Sequence, residues 1–247
     1  MPQLAGFERR PALALLAGGL ATRLRPATFT TPKSMIEVAG EPFIAHQLRL
    51  LVHQGIREIV ICAGYLGEQI EAYVGDGGTF GCNVRYSFDG DRLLGTGGAL
   101  RKALPLLGGR RFFVMYGDSY LPTPFAPIQH AFERAGLPAL MTVFRNAGRW
   151  DTSNVEFVDG VIRGYDKVDR TPGMLHIDYG LGILAASVVR DWTANGTLDL
   201  ADLYRDLVRR SLLAGFEVHE RFYEIGSPAG IRETDMFLRQ QSRGARS

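Results

Sequence analysis

The chain has 247 residues, 46% of them apolar, which is enough for a well-buried core in one large α/β domain and too apolar for a disordered or collagen-like chain. Its 28 basic and 26 acidic side chains leave a formal charge of +2, and their interspersed signs exclude the clustered basic footprint of a nucleic-acid binder. The longest apolar stretch, residues 11–21, falls short of the ~18 residues a membrane span needs.

Other features narrow the class. The start, "MPQLAGFERRP", lacks the basic region, apolar stretch and small-residue cleavage site of a signal peptide, so a cytoplasmic location is expected. Cys62 and Cys82 form neither a metal-ligand spacing nor a redox pair, and read as small core residues. The five histidines show no zinc spacing.

In chain order, apolar runs predict strands at 12–16, 58–63, 84–86, 112–115 and 139–144. Helices are predicted between them at 43–54, 67–74, 97–104 and 127–135. This alternation is the pattern of strands feeding crossover helices, so the fold class is α/β with a doubly wound sheet. After Trp150 the pattern changes to "NVEFVDGVIRGYD" and "MLHIDYGLGIL", short strand candidates joined by turn residues that read as antiparallel. Helices return at 200–213 and 228–240, and 239–247 reads as a frayed, solvated tail. No repeat or linker divides the chain, so one domain is expected, with halves at 11–150 and 151–238.

The chemistry concentrates first in "LALLAGGLATRLRPATFTTPKSM", residues 13–35. A strand ending in Gly18-Gly19 lets backbone approach a ligand, and Arg23, Arg25 and Lys33 add positive charge suited to phosphate. The stretch is neither a P-loop nor a dinucleotide fingerprint, since no Gly-Lys-Ser/Thr and no third glycine follow. On spacing alone, a glycine turn with surface arginines accounts for it equally well.

"LAGGLATRLRP" followed by "TPKSMIEVAGEPFI" resembles the signature of the sugar-1-phosphate nucleotidyltransferases, in which Leu-Ala-Gly-Gly-x-x-Thr-Arg-Leu-Arg-Pro precedes Pro-Lys-x-Met/Leu. The likeness continues at "LLGTGGALRKALPLLG", "FFVMYGDSYL", "GVIRGYDK" and "FYEIGSP", in the family's order, across residues 12–237. It is strongest to the short single-domain members that act on heptose and N-acetylmuramate 1-phosphates. The resemblance implies a Rossmann-like mixed sheet with helices on both faces and a sugar-binding lobe in the second half. It implies transfer of a nucleoside monophosphate from a nucleoside triphosphate to a sugar 1-phosphate, with guanylyl slightly ahead of uridylyl or cytidylyl transfer. Magnesium is the implied cofactor. The two substrates are the implied partners, with no nucleic acid or membrane, for a monomer or homodimer.

Site residues follow from the same resemblance. Nucleotide contacts fall to Leu16, Ala17, Gly18, Gly19, Arg23, Gly95 and Thr96, with Arg23 on the triphosphate and Lys33 near the α-phosphate. Asp118, after the apolar strand in "VMYGDSY", reads alone as an ordinary turn aspartate, but the family's Gly-Asp marks it as a magnesium ligand. Asp166 and Lys167 match an acidic residue for a sugar hydroxyl and a lysine for the sugar phosphate. Asn154, Tyr179 and Gly180 are expected at the sugar, with Trp150 and Asp178 as further candidates, although loop packing and strand roles explain these residues comparably. Glu224 departs from the pattern, because many relatives carry aspartate there as the second metal ligand.

Two other classes stay open. A nucleotide-sugar glycosyltransferase shares the fold type but normally carries Asp-x-Asp, whereas Asp118 is followed by Ser119 and Tyr120. A nucleotide-sugar-binding regulator without turnover is invited only by Glu224.

Overall fold

The computed structural model describes residues 10–20, 22–193 and 198–244, without the side chains of residues 23 and 27. The elements, in chain order, are β1 (Leu13–Ala17), β2 (Glu37–Val38), β3 (Glu41–Pro42), α1 (Phe43–His53), β4 (Glu58–Ala63), α2 (Gly67–Val74), β5 (Asn83–Phe88), α3 (Gly95–Leu107), β6 (Arg111–Tyr116) and β7 (Ser119–Tyr120). They continue with α4 (Phe125–Ala135), β8 (Ala139–Arg145), β9 (Val155–Val158), β10 (Val161–Tyr165), β11 (His176–Ala185), α5 (Ala186–Arg190), α6 (Leu200–Arg209), β12 (Leu213–Val218), β13 (Tyr223–Glu224) and α7 (Pro228–Gly244). Among the described residues no helix is long and apolar enough to cross a membrane.

Nine strands form one mixed sheet in the order β5-β4-β1-β6-β11-β8-β12-β10-β9. The first four run parallel. β11 lies antiparallel between β6 and β8. β12 then runs parallel to β8, and β10 and β9 close the edge antiparallel.

Strand alternation divides the core between the two faces. On β1, Leu13 and Leu15 join Ile44, Leu48 and Leu51 of α1 and Phe125 and Ile128 of α4. Ala14 of the same strand faces Leu100 and Ala103 of α3 and Leu203 and Leu207 of α6. Helices therefore cover both faces, as the doubly wound reading expects. α7 crosses outside this frame, where Leu238 and Ile225 pack on Val38 and Phe43. Cys62 and Cys82 are buried free thiols, and burial pushes the Cys62 thiol up to about 12.

The sequence reading needs two corrections. The helix expected over 200–213 ends at Arg209, and residues 213–218 form strand β12. Ser211 turns the chain at φ +55° while the Leu212 N–H donates to Leu207 O at 2.8 Å, a left-handed helix stop. The apolar residues Leu207, Val208, Leu212 and Leu213 kept helical spacing through that stop and hid it. The tail expected from 239 is helical to Gly244, and Arg239 donates to Asp235 at 2.7 Å one turn back.

Candidate functional site: a cleft at the carboxyl ends of the parallel strands

The parallel strands end at a cleft of about 380 Å³, lined by Leu16, Ala17, Gly18, Gly19, Lys33, Gly95, Thr96, Tyr116 and Asp118 among others. Open α/β sheets bind ligands at this end. All the residues expected at the nucleotide line it, except that the Arg23 side chain lies outside the described residues; its backbone is in the short helical turn Thr22–Leu24.

Asp118 sits in the turn between β6 and β7. The Gly117 N–H donates to Leu16 O at 2.9 Å, and Asp118 O accepts from the Ile225 N–H at 3.0 Å. A side chain at Gly117 would put its Cβ 2.6 Å from Leu16 O, so only glycine lets the turn press against β1. Lys33, in the turn Lys33–Met35, places Nζ 2.7 Å from Asp118 Oδ2. The Ser119 hydroxyl donates to Asp118 Oδ1 at 3.2 Å. Two residues 85 positions apart thus meet at the cleft.

Thr96 lines the cleft, but its hydroxyl is engaged elsewhere. It donates to Asp199 Oδ1 at 3.1 Å and accepts the Leu200 N–H at 2.8 Å, tying α3 to the start of α6. Asp89 is a cleft residue that the sequence reading missed. It is 9% exposed, and its Oδ2 accepts the Leu94 N–H at 3.1 Å. Burial raises its pKa. Its place directly after β5 at the carboxyl end of the sheet is the signal that points to it.

The residues expected at the sugar divide. Lys167 stands with Nζ 5.2 Å from the centroid of the Tyr116 ring, beside the nucleotide cleft. Gly180, at φ +96°, bulges β11 toward Ser119 and Tyr116, each of which would lie 3.3 Å from a Cβ added there. Asp178 accepts from the Gly180 N–H at 3.0 Å, the Tyr165 hydroxyl at 3.3 Å and the Tyr116 hydroxyl at 3.4 Å. Burial raises its pKa, and the Lys167 charge opposes that rise.

Three expected contacts are otherwise engaged. The Tyr179 ring, 2% exposed, lies in the core on the α1/α4 face, because strand alternation points it away from Asp178. The Asp166 carboxylate accepts from the Val168 and Asp169 N–H groups and from Arg205 at 2.9 Å. These bonds, the Val168 N–H first, lower its pKa to about 2. Asn154 Oδ1 accepts the Asp178 N–H at 2.9 Å. The Asp166 N–H also donates to Asn154 O at 3.0 Å, so Asp166 and Asn154 brace the segment that carries Lys167. Trp150 holds its ring 3.4 Å from the Arg221 guanidinium.

Glu224 pairs with Ser119 across β13 and β7, yet its carboxylate turns toward α7. It accepts from the Gly226 N–H and from the Ser227 hydroxyl, the latter at 2.9 Å. A Cβ at Gly226 would lie 2.5 Å from Glu224 Oε2 and 3.1 Å from Lys33 Nζ, and one at Gly230 would lie 1.9 Å from Glu224 Oε1. These two glycines leave the space that the longer side chain fills. Among the described residues no three His, Cys, Asp or Glu side chains gather as a metal cluster.

Residues 13–153 match the family model described as nucleotidyl transferase. Over 104 residues, 42% of this chain and 45% of the relative, the sequence is 47% identical to the N-acetylmuramate alpha-1-phosphate uridylyltransferase of Neisseria meningitidis. It is 25% identical over 214 residues, 87% of this chain and 94% of the relative, to the D-glycero-alpha-D-manno-heptose 1-phosphate guanylyltransferase of Campylobacter jejuni. Among solved structures, a Bacillus anthracis protein designated a glucose-1-phosphate thymidylyltransferase superposes with TM-score 0.82 at 21% identity, covering 92% of this chain and 94% of that one. HddC from Yersinia pseudotuberculosis, complexed with GMP-PN, gives 0.76 at 21% identity, covering 92% and 99%. These superpositions establish a shared α/β fold.

Proposed function

The chain belongs to the nucleotidyl transferase family, and we propose that it transfers a nucleoside monophosphate from a nucleoside triphosphate to a sugar 1-phosphate, yielding a nucleotide sugar and pyrophosphate. GTP is the proposed donor. The 47% likeness to a uridylyltransferase over 104 residues supports UTP as a second reading. The observation that carries the proposal is the meeting of Lys33 and Asp118, 2.7 Å apart, at a cleft whose wall includes Gly18 and Gly19.

In the proposed reaction a sugar-phosphate oxygen attacks the α-phosphorus. The bond to the bridging oxygen breaks, and pyrophosphate leaves with its electrons. The nucleophile is already an anion, so no general base is required and the protein's task is to align two anions and offset their repulsion. Lys33 serves the α-phosphate, Lys167 the sugar phosphate and Arg23 the triphosphate, while the backbone of Leu16, Ala17 and Gly18 meets the base. Asp178 and the bulge at Gly180 shape the sugar side, and Asn154 and Asp166 hold the Lys167 segment in place. A cytoplasmic location, where nucleoside triphosphates are available, accompanies this reading.

Asp118 fits a magnesium ion, since its carboxylate reaches the cleft with a side-chain exposure of 38%, and magnesium is commonly held by one or two carboxylates together with substrate phosphates. The ion would supply charge neutralisation at the triphosphate. Glu224 accepts one bond at each oxygen, from the Gly226 N–H and the Ser227 hydroxyl, which hold its carboxylate and leave a lone pair on each oxygen that would serve the same ion. Glu224→Asp retracts the carboxylate from those two donors and is expected to raise the magnesium requirement and slow turnover. A faster Glu224→Asp enzyme would show that aspartate is the better ligand. Unchanged magnesium dependence in Glu224→Gln would leave Glu224 solely as the anchor of α7.

The function itself is tested by pyrophosphate release from the purified chain with magnesium. Release is expected only when a nucleoside triphosphate and a sugar 1-phosphate are both present. Release from triphosphate alone would indicate a hydrolase, and sugar transfer from a finished nucleotide sugar would indicate a glycosyltransferase.

A further inference from the structure

Gln47 lies on α1 among Ile44, Leu48 and Leu51 and is 0% exposed. A buried amide in such a row is costly unless its hydrogen bonds are needed. Its Nε2 donates to Tyr116 O at 3.2 Å and to Ser119 O at 2.8 Å. Both partners are carbonyls, so the NH2 group must be the end that faces them. Gln47 Oε1 finds no partner among the described residues, which leaves the two donated bonds as the reason for an amide at this position.

Those two carbonyls stand on either side of Gly117 and Asp118. The groups between them are also held from outside the turn, Gly117 N–H by Leu16 of β1 and Asp118 O by Ile225 beside β13. The turn is therefore held by backbone from two elements and by one side chain from a third. The backbone bonds require only glycine at 117, whereas the bond pair from α1 depends on the residue at 47.

We propose that Gln47 is a positioning residue for the site, spanning the β6–β7 turn with two hydrogen bonds so that the Asp118 carboxylate is fixed opposite Lys33. The proposal rests on the reading of Asp118 given above. An apolar isostere removes both donated bonds from the Tyr116 and Ser119 carbonyls and frees the turn. A carboxylate isostere places acceptor against acceptor.

The test combines kinetics with hydrogen exchange read by mass spectrometry on the substrate-free chain. Gln47→Met is expected to lower kcat by ~10- to 100-fold, the scale of a small misplacement of a reacting group, while KM for the nucleoside triphosphate stays within about threefold. Deuterium uptake should rise in a peptide covering residues 114–121 and stay at the wild-type level in the β1 and β4 peptides. Gln47→His keeps an N–H donor and should retain more activity than Gln47→Glu. Wild-type kcat and uptake in Gln47→Met would overturn the proposal. So would uptake rising across the whole core with unchanged kcat per folded molecule, since Gln47 would then be a stability residue only. If Gln47→Met does not fold, equal activity in the histidine and glutamate variants overturns it. Near-normal turnover in Asp118→Asn would instead remove the role of Asp118, an outcome that the exchange measurement on residues 114–121 does not share.

Discussion

Replacing Asp118 by asparagine should lower turnover by at least ~100-fold, the scale of deleting one preorganised electrostatic group, while the melting temperature shifts by no more than about 4 °C. Asparagine keeps the shape and can still accept from the Ser119 hydroxyl, but it removes the charge that meets Lys33 at 2.7 Å. The two effects differ in size for a physical reason. The Lys33 and Asp118 side chains are 20% and 38% exposed, and ion pairs that reach solvent contribute about 0–1 kcal/mol to stability. A 100-fold loss of turnover corresponds to about 2.7 kcal/mol at the transition state. Steady-state pyrophosphate release at saturating substrates, with a thermal scan of the same preparations, separates the two. A large fall in melting temperature with near-normal kcat would make Asp118 a fold residue.

The centre of the parallel sheet is legible because β1, β4 and β6 are short, largely apolar runs and the crossover helices keep their own period. β4 falls on the residues expected, and β1 is displaced by a single position. Legibility fails where one period runs into the next. Leu212 and Leu213 continue the apolar spacing of α6, and only the left-handed turn at Ser211 separates helix from strand. Nothing in local sequence announces that turn, since serine has no special tolerance for positive φ. The place of β11 between β6 and β8 is equally invisible locally, because lateral pairing joins strands far apart in the chain through backbone hydrogen bonds that carry no side-chain signal.

The site divides along the same line. Glycine turns and charged residues at strand ends are visible as types, so the cleft-lining set around Gly18 and Asp118 could be named in advance. Which way a side chain points could not. Asp178 and Tyr179 are neighbours in sequence, yet the β pleat sends Asp178 toward Tyr116 and Tyr165 and buries Tyr179 against Phe144 and Phe222. Asp166 was legible as an acid beside a lysine, but its partner Arg205 lies 39 residues away on α6. Glu224 was visible as a departure, whereas the accommodating space at Gly226 and Gly230 required three dimensions.

The Lys33→Met variant should also lose ~100-fold or more in turnover, and combining it with Asp118→Asn should cost at most a few-fold beyond the worse single variant. Without substrate, the lysine is held by Asp118 and borders Gly226 beside the Glu224 carboxylate. In the proposed reaction Asp118 would hold the cation and Lys33 would meet phosphate oxygen. On that reading the two residues serve one event, and removing either disables it. Groups that act as a unit show this non-additivity, whereas independent groups multiply their losses. Lys33→Arg keeps the charge but brings a planar fork where a compact ammonium fits, so partial activity is expected from it. The measurement is kcat for the wild type, the two single variants and the double variant at saturating magnesium and substrates. Losses that multiply would place Lys33 and Asp118 in separate steps, and full activity in Lys33→Met would reduce their ion pair to a surface contact.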